Sequence, residues 1–221
     1  MRIAILGAGG HGKVVFDLLH ACMSEVAGEL EFTGFFDVNF GRACQSKLVI
    51  IGSEADLINK WREFAVDHAV VAIGDNQTRK ELYRQLENTG LLMPILIHPK
   101  ATVSPGAIIG LGTVVCGHAF IGPDVVIGED CIINTAATVD HDCIIADHVH
   151  ICPGVTMAGE VKIGMGSLIG TGANIIPGIK VGDNVVVGAG STVISDIRDN
   201  VTAVGVPAHE VARSRGGLRN F

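Results

Sequence analysis

Beyond residue 98 an aliphatic residue returns at every sixth position. The series runs Val103, Ile109, Val115, Ile121, Ile127, Ile133, Val139, Ile145 and Ile151, then Met157, Ile163, Ile169, Ile175, Val181, Val187 and Val193. Two places before each stands a small or β-branched residue, as at Ala101, Ala107, Thr113, Ala119, Val125, Cys131, Ala137 and Cys143. Glycine follows the aliphatic at Gly110, Gly122, Gly128, Gly164, Gly170, Gly182 and Gly188. No helix has a period of six. A chain held to this rhythm forms a solenoid of short strands, each hexapeptide laying down one flat face with its aliphatic residue pointing inward. With three faces per coil, eighteen residues make a full turn and the segment holds about five coils. The pattern does not set the hand of the winding.

The first 97 residues have a different texture. RIAIL (2–6), FTGFFDV (32–38), KLVIIG (47–52) and HAVVAIGD (68–75) read as buried strands, with a last short strand at MPILI. Between them lie helical patterns at KVVFDLLHACM, near 54–64, and from Gln77 to about Glu87. Strand and helix in alternation imply βαβ units and a parallel sheet. The sequence therefore predicts an α/β domain over 1–97 and an all-β parallel β-helix over 98–221 with a C-terminal cap, joined at the two prolines of IHPKATVSP.

Bulk properties narrow the function. A net charge of −7 provides no basic stripe for nucleic acid. The one basic cluster, Arg213, Arg215 and Arg219, is short and reads as a solvated tail. No apolar run is long enough to cross a bilayer, and no signal peptide is visible. Six cysteines, Cys22, Cys44, Cys116, Cys131, Cys143 and Cys152, show no C-x-x-C pair and read as small core residues of a reduced, cytoplasmic protein.

Within the repeat, NTAATVDHDC (134–143) places an Asp-His-Asp triplet among small apolar residues. Such a triplet can be a solvated turn, part of a metal ligand set, or a base tuned by its acids. In the hexapeptide register Val139 and Cys143 point inward, so Asp140, His141 and Asp142 lie outside the coil or at its corner. One coil on, eighteen residues later, Gly159 stacks over His141. A glycine there is expected to leave space beside the imidazole and to expose a backbone N–H. Space, a base and an amide donor are what an acyl transfer requires. Either acid can hold the second ring nitrogen, fixing the tautomer and raising the basicity. The metal reading draws on His141, His148 and His150 in H-x6-H-x-H spacing. Zinc needs three ligands converging on one point, whereas these three fall at different places in their hexapeptides. Cys143 and Cys152 raise a covalent route, but Cys143 is inward and poorly placed as a nucleophile.

GAGGHG follows the first strand and gives Gly7, Gly9 and Gly12 in G-x-G-x-x-G spacing, where backbone can approach a phosphate at a helix N-terminus. Asp37, at the end of the second strand, stands where a carboxylate meets a ribose or base. Gly74, in AIGDNQTR, belongs to the same sheet edge. About 97 residues hold one mononucleotide half, so one nucleotide is expected and not a dinucleotide.

Together GAGGHG, AIGDN, IHP, the hexapeptide coils, the DHD triplet and a closing VGVPA resemble, over almost the whole chain, the sugar O-/N-acyltransferases of the sialic-acid acetyltransferase type. The likeness is greatest to enzymes that N-acetylate nucleotide-linked 4-amino-4,6-dideoxy sugars, including the perosamine, bacillosamine-precursor and 4-amino-quinovose acetyltransferases. The resemblance implies a half-Rossmann domain followed by a left-handed β-helix, assembled as a homotrimer with shared active sites. It implies His141 as general base and Asp142 as the group that raises its basicity. Acetyl-CoA, the co-substrate, falls to His150, Gly159, Thr171 and Ala189, the nucleotide-linked amino sugar to Gly9, Gly10, His11, Asp37, Gly74 and Asn134, and no metal is implied. One departure is His209 in VGVPAHEV, where many hexapeptide enzymes carry Lys. GDP-perosamine is the substrate favoured by overall likeness, for a surface glycan such as O-antigen. UDP- and dTDP-linked sugars, O-acetylation of a sialic acid or other sugar hydroxyl, and a non-catalytic scaffold remain the alternatives.

Overall fold

The computed structural model describes residues 1–25, 30–40 and 48–211, and divides into two compact units, Met1–Pro99 and Lys100–Phe221. Cys44 and the Arg213, Arg215 and Arg219 cluster lie outside the described residues.

In the first unit β1 (Arg2–Leu6), β2 (Glu31–Phe36), β3 (Ile50–Gly52) and β4 (His68–Val71) form one parallel sheet in the order β3-β2-β1-β4. This is half of a doubly wound sheet, with β1 central and flanked on both sides. β1 is buried from Ile3 to Leu6, which is why it reads as an unbroken apolar run. Helix α1 (Gly10–Glu25) starts three residues earlier than the apolar pattern indicates, so Gly10, His11 and Gly12 form its first turn. The helix expected over 54–64 is interrupted. α2 (Glu54–Lys60) opens on a capping box between Ser53 and Asp56, and the chain then tightens into a 3-10 turn, Trp61–Phe64. Ala65, at φ 56°, closes that turn with a left-handed residue. α3 (Asn76–Glu87) packs Arg79, Leu82, Tyr83 and Leu86 inward, spaced three and four apart on one stripe. The unit's core gathers Ala4, Leu6, Phe36, Leu57, Ala69, Val71 and Leu86.

The second unit is a three-faced prism of two-residue strands. The first face stacks Ile108–Ile109, Val126–Ile127, Ile144–Ile145, Lys162–Ile163 and Lys180–Val181. The second stacks Val114–Val115, Ile132–Ile133, His150–Ile151, Leu168–Ile169 and Val186–Val187. The third stacks Thr102–Val103, Phe120–Ile121, Thr138–Val139, Thr156–Met157, Asn174–Ile175 and Thr192–Val193. Each pairing is parallel and joins a residue to the one eighteen positions on, as in Ile127↔Ile145, Ile133↔Ile151 and Val139↔Met157. After the last coil Thr202–Val204 continues the second face and His209–Val211 returns antiparallel to it, ending the stack.

The inward residues form one continuous core from Val115 to Val193, with the periodic aliphatics at 3% exposure or less. Val103 and Ile109, in the first coil, are only half-buried. The second of the two turn residues at successive corners takes positive φ, and the column reads His118, Asp124, Asp130, Ala136, Asp142, His148, Gly154 and Glu160. A left-handed residue at every sixth place bends the chain sharply enough for three flat faces to close, and Asp, Asn and Gly accept that conformation at least cost. The glycine after the aliphatic has a separate cause. A Cβ on Gly110 would sit 2.6 Å from the Glu129 amide nitrogen of the next coil, and one on Gly182 would lie 2.6 Å from that of Asp199. The coils approach too closely there for any side chain.

Thr156 and Met157 are consecutive but face opposite ways, Thr156 exposed and Met157 at 1% exposure. Met157→Ala is expected to cost about 2–5 kcal/mol, and Thr156→Ala to stay within about 0.5 kcal/mol. Chemical denaturation of the two variants beside the parent checks both.

Candidate active site

The triplet sits where the third face turns into the first. Its backbone is held between coils: the Asp140 N–H donates to the Met157 carbonyl (3.1 Å), the Asp142 N–H to the Pro123 carbonyl (3.1 Å), and the Glu160 N–H to the His141 carbonyl (2.9 Å). Asp140 Oδ1 accepts the His141 N–H at 2.8 Å. With the backbone so fixed, His141 and Asp142 are the two turn residues and project outward, their side chains 52% and 58% exposed. Asp142 holds φ at 58° and brings Oδ2 to 2.7 Å from Nδ1 of the preceding residue's imidazole. A proton on Nδ1 is thereby donated to the carboxylate, which leaves the Nε2 lone pair facing out as a base. The hydrogen bond to Asp142 raises the His141 pKa above the ordinary imidazole value, against a smaller desolvation effect, with further help from the charges of Asp140, Asp142 and Glu160.

Gly159 does stack on His141, but the expected space beside the ring is not there. The imidazole itself fills it: a Cβ on Gly159 would stand 2.5 Å from Nε2 and 3.0 Å from Nδ1. The glycine admits the ring against the next coil instead of keeping a gap open. Among the described residues the Gly159 N–H donates to no protein acceptor, so it stays available beside the imidazole. Glu160, which the sequence pattern does not single out, lies one coil on from Asp142 in the left-handed column and adds to the negative field on the ring.

The other predicted positions of the prism lie elsewhere. His150 stands on the outer side of the second face, yet only 9% exposed, with Nε2 at 3.1 Å from Nδ2 of Asn134. The Oδ1 of Asn134 accepts the Thr135 N–H at 2.8 Å, which directs the amide's nitrogen toward the ring. Asn134 and His150 thus form one pair. Thr171 and Ala189 occupy the corner between the second and third faces, one coil apart, where the Gly190 N–H donates to the Thr171 carbonyl (2.8 Å). One prism therefore carries His141, Asp142 and Gly159 at one corner, and Thr171 and Ala189 at another, with the third face between them.

His148 is 5% exposed at the corner between the first and second faces, its Nδ1 2.8 Å from Oδ2 of buried Asp130. The three histidines of the H-x6-H-x-H spacing thus lie at two different corners and on one face, without a common centre. Burial pushes the Cys152 thiol up to about 11, and Cys143, also raised by burial, donates Sγ–H to the Ala158 carbonyl at 3.2 Å. Neither is a ready thiolate.

In the first unit Gly7 has φ 108°, and its Cβ would lie 2.9 Å from the Ala72 carbonyl oxygen; a Cβ on Gly12 would collide with the Gly7 carbonyl oxygen. Both serve the turn itself. A Cβ on Gly9, Gly10 or Gly74 would meet nothing within 4 Å, so the backbone at these three faces open space that a ligand can enter. Asp37 is engaged by the protein: Oδ2 accepts the Ala8 N–H (2.8 Å), while Oδ1 accepts the backbone and side-chain N–H groups of Asn39 (2.8 Å each). It ties the Gly-rich loop to the end of β2, a role its place in the sequence does not reveal. Burial, then the nearby Arg79 guanidinium, lowers the His11 pKa to about 4, so its imidazole is neutral at physiological pH. Arg79 is a second residue that sequence reasoning misses. At 1% exposure it donates Nη1–H to the Ile73 carbonyl (3.2 Å) and to Asn76 Oδ1 (2.9 Å), bracing the loop that carries Gly74. Its signal is an arginine on the apolar stripe of α3.

Residues 2–86 match the family model of the PglD N-terminal domain, and residues 160–195 that of the bacterial transferase hexapeptide (six repeats). A UDP-N-acetylbacillosamine N-acetyltransferase of Bacillus subtilis (strain 168) is 39% identical over 114 residues, which are 52% of this chain and only half of that relative's length. The acetyltransferase domain of PglB from Neisseria gonorrhoeae FA1090 is 39% identical, with a TM-score of 0.85 over 95% of this chain and 99% of its own. A mutant of perosamine N-acetyltransferase from Caulobacter crescentus, solved in complex with CoA and GDP-perosamine, is 37% identical, with a TM-score of 0.88 over 96% of this chain and 98% of its own.

Asp142→Asn removes the carboxylate that raises the His141 pKa. The imidazole is then expected to titrate at lower pH, nearer 6.5. Following the His141 ring resonances by NMR against pH in parent and variant measures the shift.

Proposed function

Because the chain belongs to the hexapeptide-repeat sugar N-acetyltransferases, we propose that it moves the acetyl group of acetyl-CoA onto the C4 amine of a nucleotide-linked 4-amino-4,6-dideoxy sugar. GDP-perosamine is the favoured substrate, on the likeness to the Caulobacter enzyme solved with that compound. The observation that carries the reading is the outward His141–Asp142 pair pressed against Gly159, a single base with one nitrogen held and the other presented.

The step is a direct transfer. The amine nitrogen attacks the thioester carbonyl carbon, and its proton passes to His141 Nε2. The carbonyl electron pair moves onto oxygen, where the Gly159 N–H donates to the developing oxyanion. On collapse the C–S bond breaks and coenzyme A leaves, taking the proton as the free thiol. Asp142 stabilises the imidazolium between these events and is not itself the base. No acyl-enzyme is required, in keeping with the buried, raised thiols of Cys143 and Cys152.

His150, Thr171 and Ala189 take acetyl-CoA in this reading, the last two through backbone. Gly9, Gly10, His11 and Gly74 take the nucleotide sugar, with Asp37 shaping the loop and Asn134 serving the sugar or His150. Since one prism keeps His141 and the Thr171–Ala189 column on separate corners, the complete site is built in a homotrimer, with a base from one subunit meeting acetyl-CoA held by its neighbour. Acetyl-CoA and activated sugars place the enzyme in the cytoplasm, supplying an O-antigen or another surface glycan. No described helix is long and apolar enough to cross a membrane.

Thiol release from acetyl-CoA, followed against GDP-, UDP- and dTDP-linked 4-amino sugars and their 4-hydroxy counterparts, tests the reading. Turnover with the amino sugars only is expected, and turnover with the hydroxy sugars alone transfers the assignment to O-acetylation. His141→Asn is expected to reduce kcat by ~10²–10⁴-fold, and full activity in that variant removes the imidazole from its role. Gly159→Ala is expected to reduce kcat with an unchanged circular dichroism spectrum, because the added methyl displaces the ring and not the coil.

A further inference from the structure

A cavity of about 510 Å³ opens on the first face of the prism, lined by Asp142, Ile144, Glu160, Lys162, Gly178 and Lys180. One end of its wall is the carboxylate that holds His141. At the other, Lys162 and Lys180 stand in register on neighbouring strands, both exposed. Their chain neighbours Ile163 and Val181 point inward, at 2% and 3% exposure, so both lysines project from the same outer surface.

Two cations in this position have a cost. Parallel strands lie ~4.8 Å apart, and like charges directly opposite each other destabilise the pairing. The rungs above show that the column does not require lysine, since the equivalent outward residues are Ile108, Val126 and Ile144. The column changes from aliphatic to cationic at the coil that carries Gly159. Neither ammonium has an ion pair among the described residues. Asp142 is already engaged with His141, and the field of Glu160 is felt by the same ring. Two adjacent ammonium groups beside this corner, neither of them ion-paired among the described residues although Asp142 and Glu160 line the same cavity, match a ligand with two linked negative charges.

We infer that Lys162 and Lys180 form a phosphoryl-anion subsite that takes the diphosphate of a co-substrate next to His141. The inference rests on the proposed transferase reading, in which both co-substrates carry a diphosphate: coenzyme A and the nucleotide sugar. The lysines act in binding, as point charges on flexible stems, and take no part in the proton transfer.

Calorimetric titration of the full-length protein tests this without turnover. Coenzyme A and the nucleoside diphosphates GDP, UDP and dTDP are titrated separately into the parent, Lys162→Met, Lys180→Met, the double Met variant and the double Arg variant. Loss of both charge-assisted contacts is expected to weaken one ligand class by about tenfold or more, with a shallower salt dependence, and the Arg variant to restore most of it. Weakening of coenzyme A alone assigns the subsite to the acyl donor, and weakening of a nucleoside diphosphate alone assigns it to the sugar nucleotide. Dissociation constants within twofold of the parent for every ligand the parent binds overturn the subsite and leave the transferase reading standing. A parent that binds none of the four ligands overturns both. Met keeps the length of the stem at two exposed positions, and an unchanged thermal midpoint separates lost binding from lost folding.

Discussion

Backbone hydrogen bonds between coils, which set each residue beside the one eighteen positions on, control this molecule. Each outward position of the prism lies directly on the same position of the next coil, so a side chain is answered by whatever the sequence places eighteen residues later. His141 meets Gly159, Asp130 meets His148, and Lys162 meets Lys180. The inward aliphatics supply the stability, and because they need only be apolar and of suitable size, the outer positions are released for chemistry. The corner of His141 is therefore an ordinary turn of the coil in its backbone, distinguished by the side chains of Asp140, His141 and Asp142 and by a neighbour, Gly159, that has none.

The corners and faces of the prism, and the loops of the first unit, are used differently. At the corner of His141, a left-handed turn residue supplies the carboxylate, so the conformation that closes the corner also aims Asp142 back at the imidazole. The paired residues His150 and Asn134 join a strand of the second face to the corner beside it, and their contact runs between the donor face of an amide and a ring lone pair. In the first unit the logic is that of a loop: Asp37 secures GAGGHG from one side, and Arg79 braces the Gly74 turn. Gly9, Gly10 and Gly74 are left facing open space by those two anchors.

The architecture of the prism is legible in the sequence because its period is strict. Inward residues, corners and the eighteen-residue stacking of His141 on Gly159 follow from counting alone. What counting does not reach is how side chains occupy the positions so found. It places a glycine opposite the imidazole but does not say whether the ring turns into that gap or away from it, since a rotamer depends on the Asp142 contact and on the shape of the neighbouring coil. Arg79 escapes a sequence reading because arginine on a helix is normally solvated, and only the packed sheet shows that its stripe faces inward. Asp37 reads as a ligand group from its place at a strand end. Its engagement by Ala8 and Asn39 depends on the path of a loop that the strand pattern does not describe.

The eighteen-residue coil also governs how such a chain can change its length. Removing one hexapeptide from the coils between Gly122 and His141 preserves the inward rhythm and the hydrophobic interior, yet carries every later side chain round by a third of a turn. His141 would then emerge from a different edge, although its local neighbours Asp142 and Gly159 would travel with it. Whole coils are the natural unit of gain and loss here, and the prism can lengthen or shorten without carrying His141 to another edge only in steps of that size.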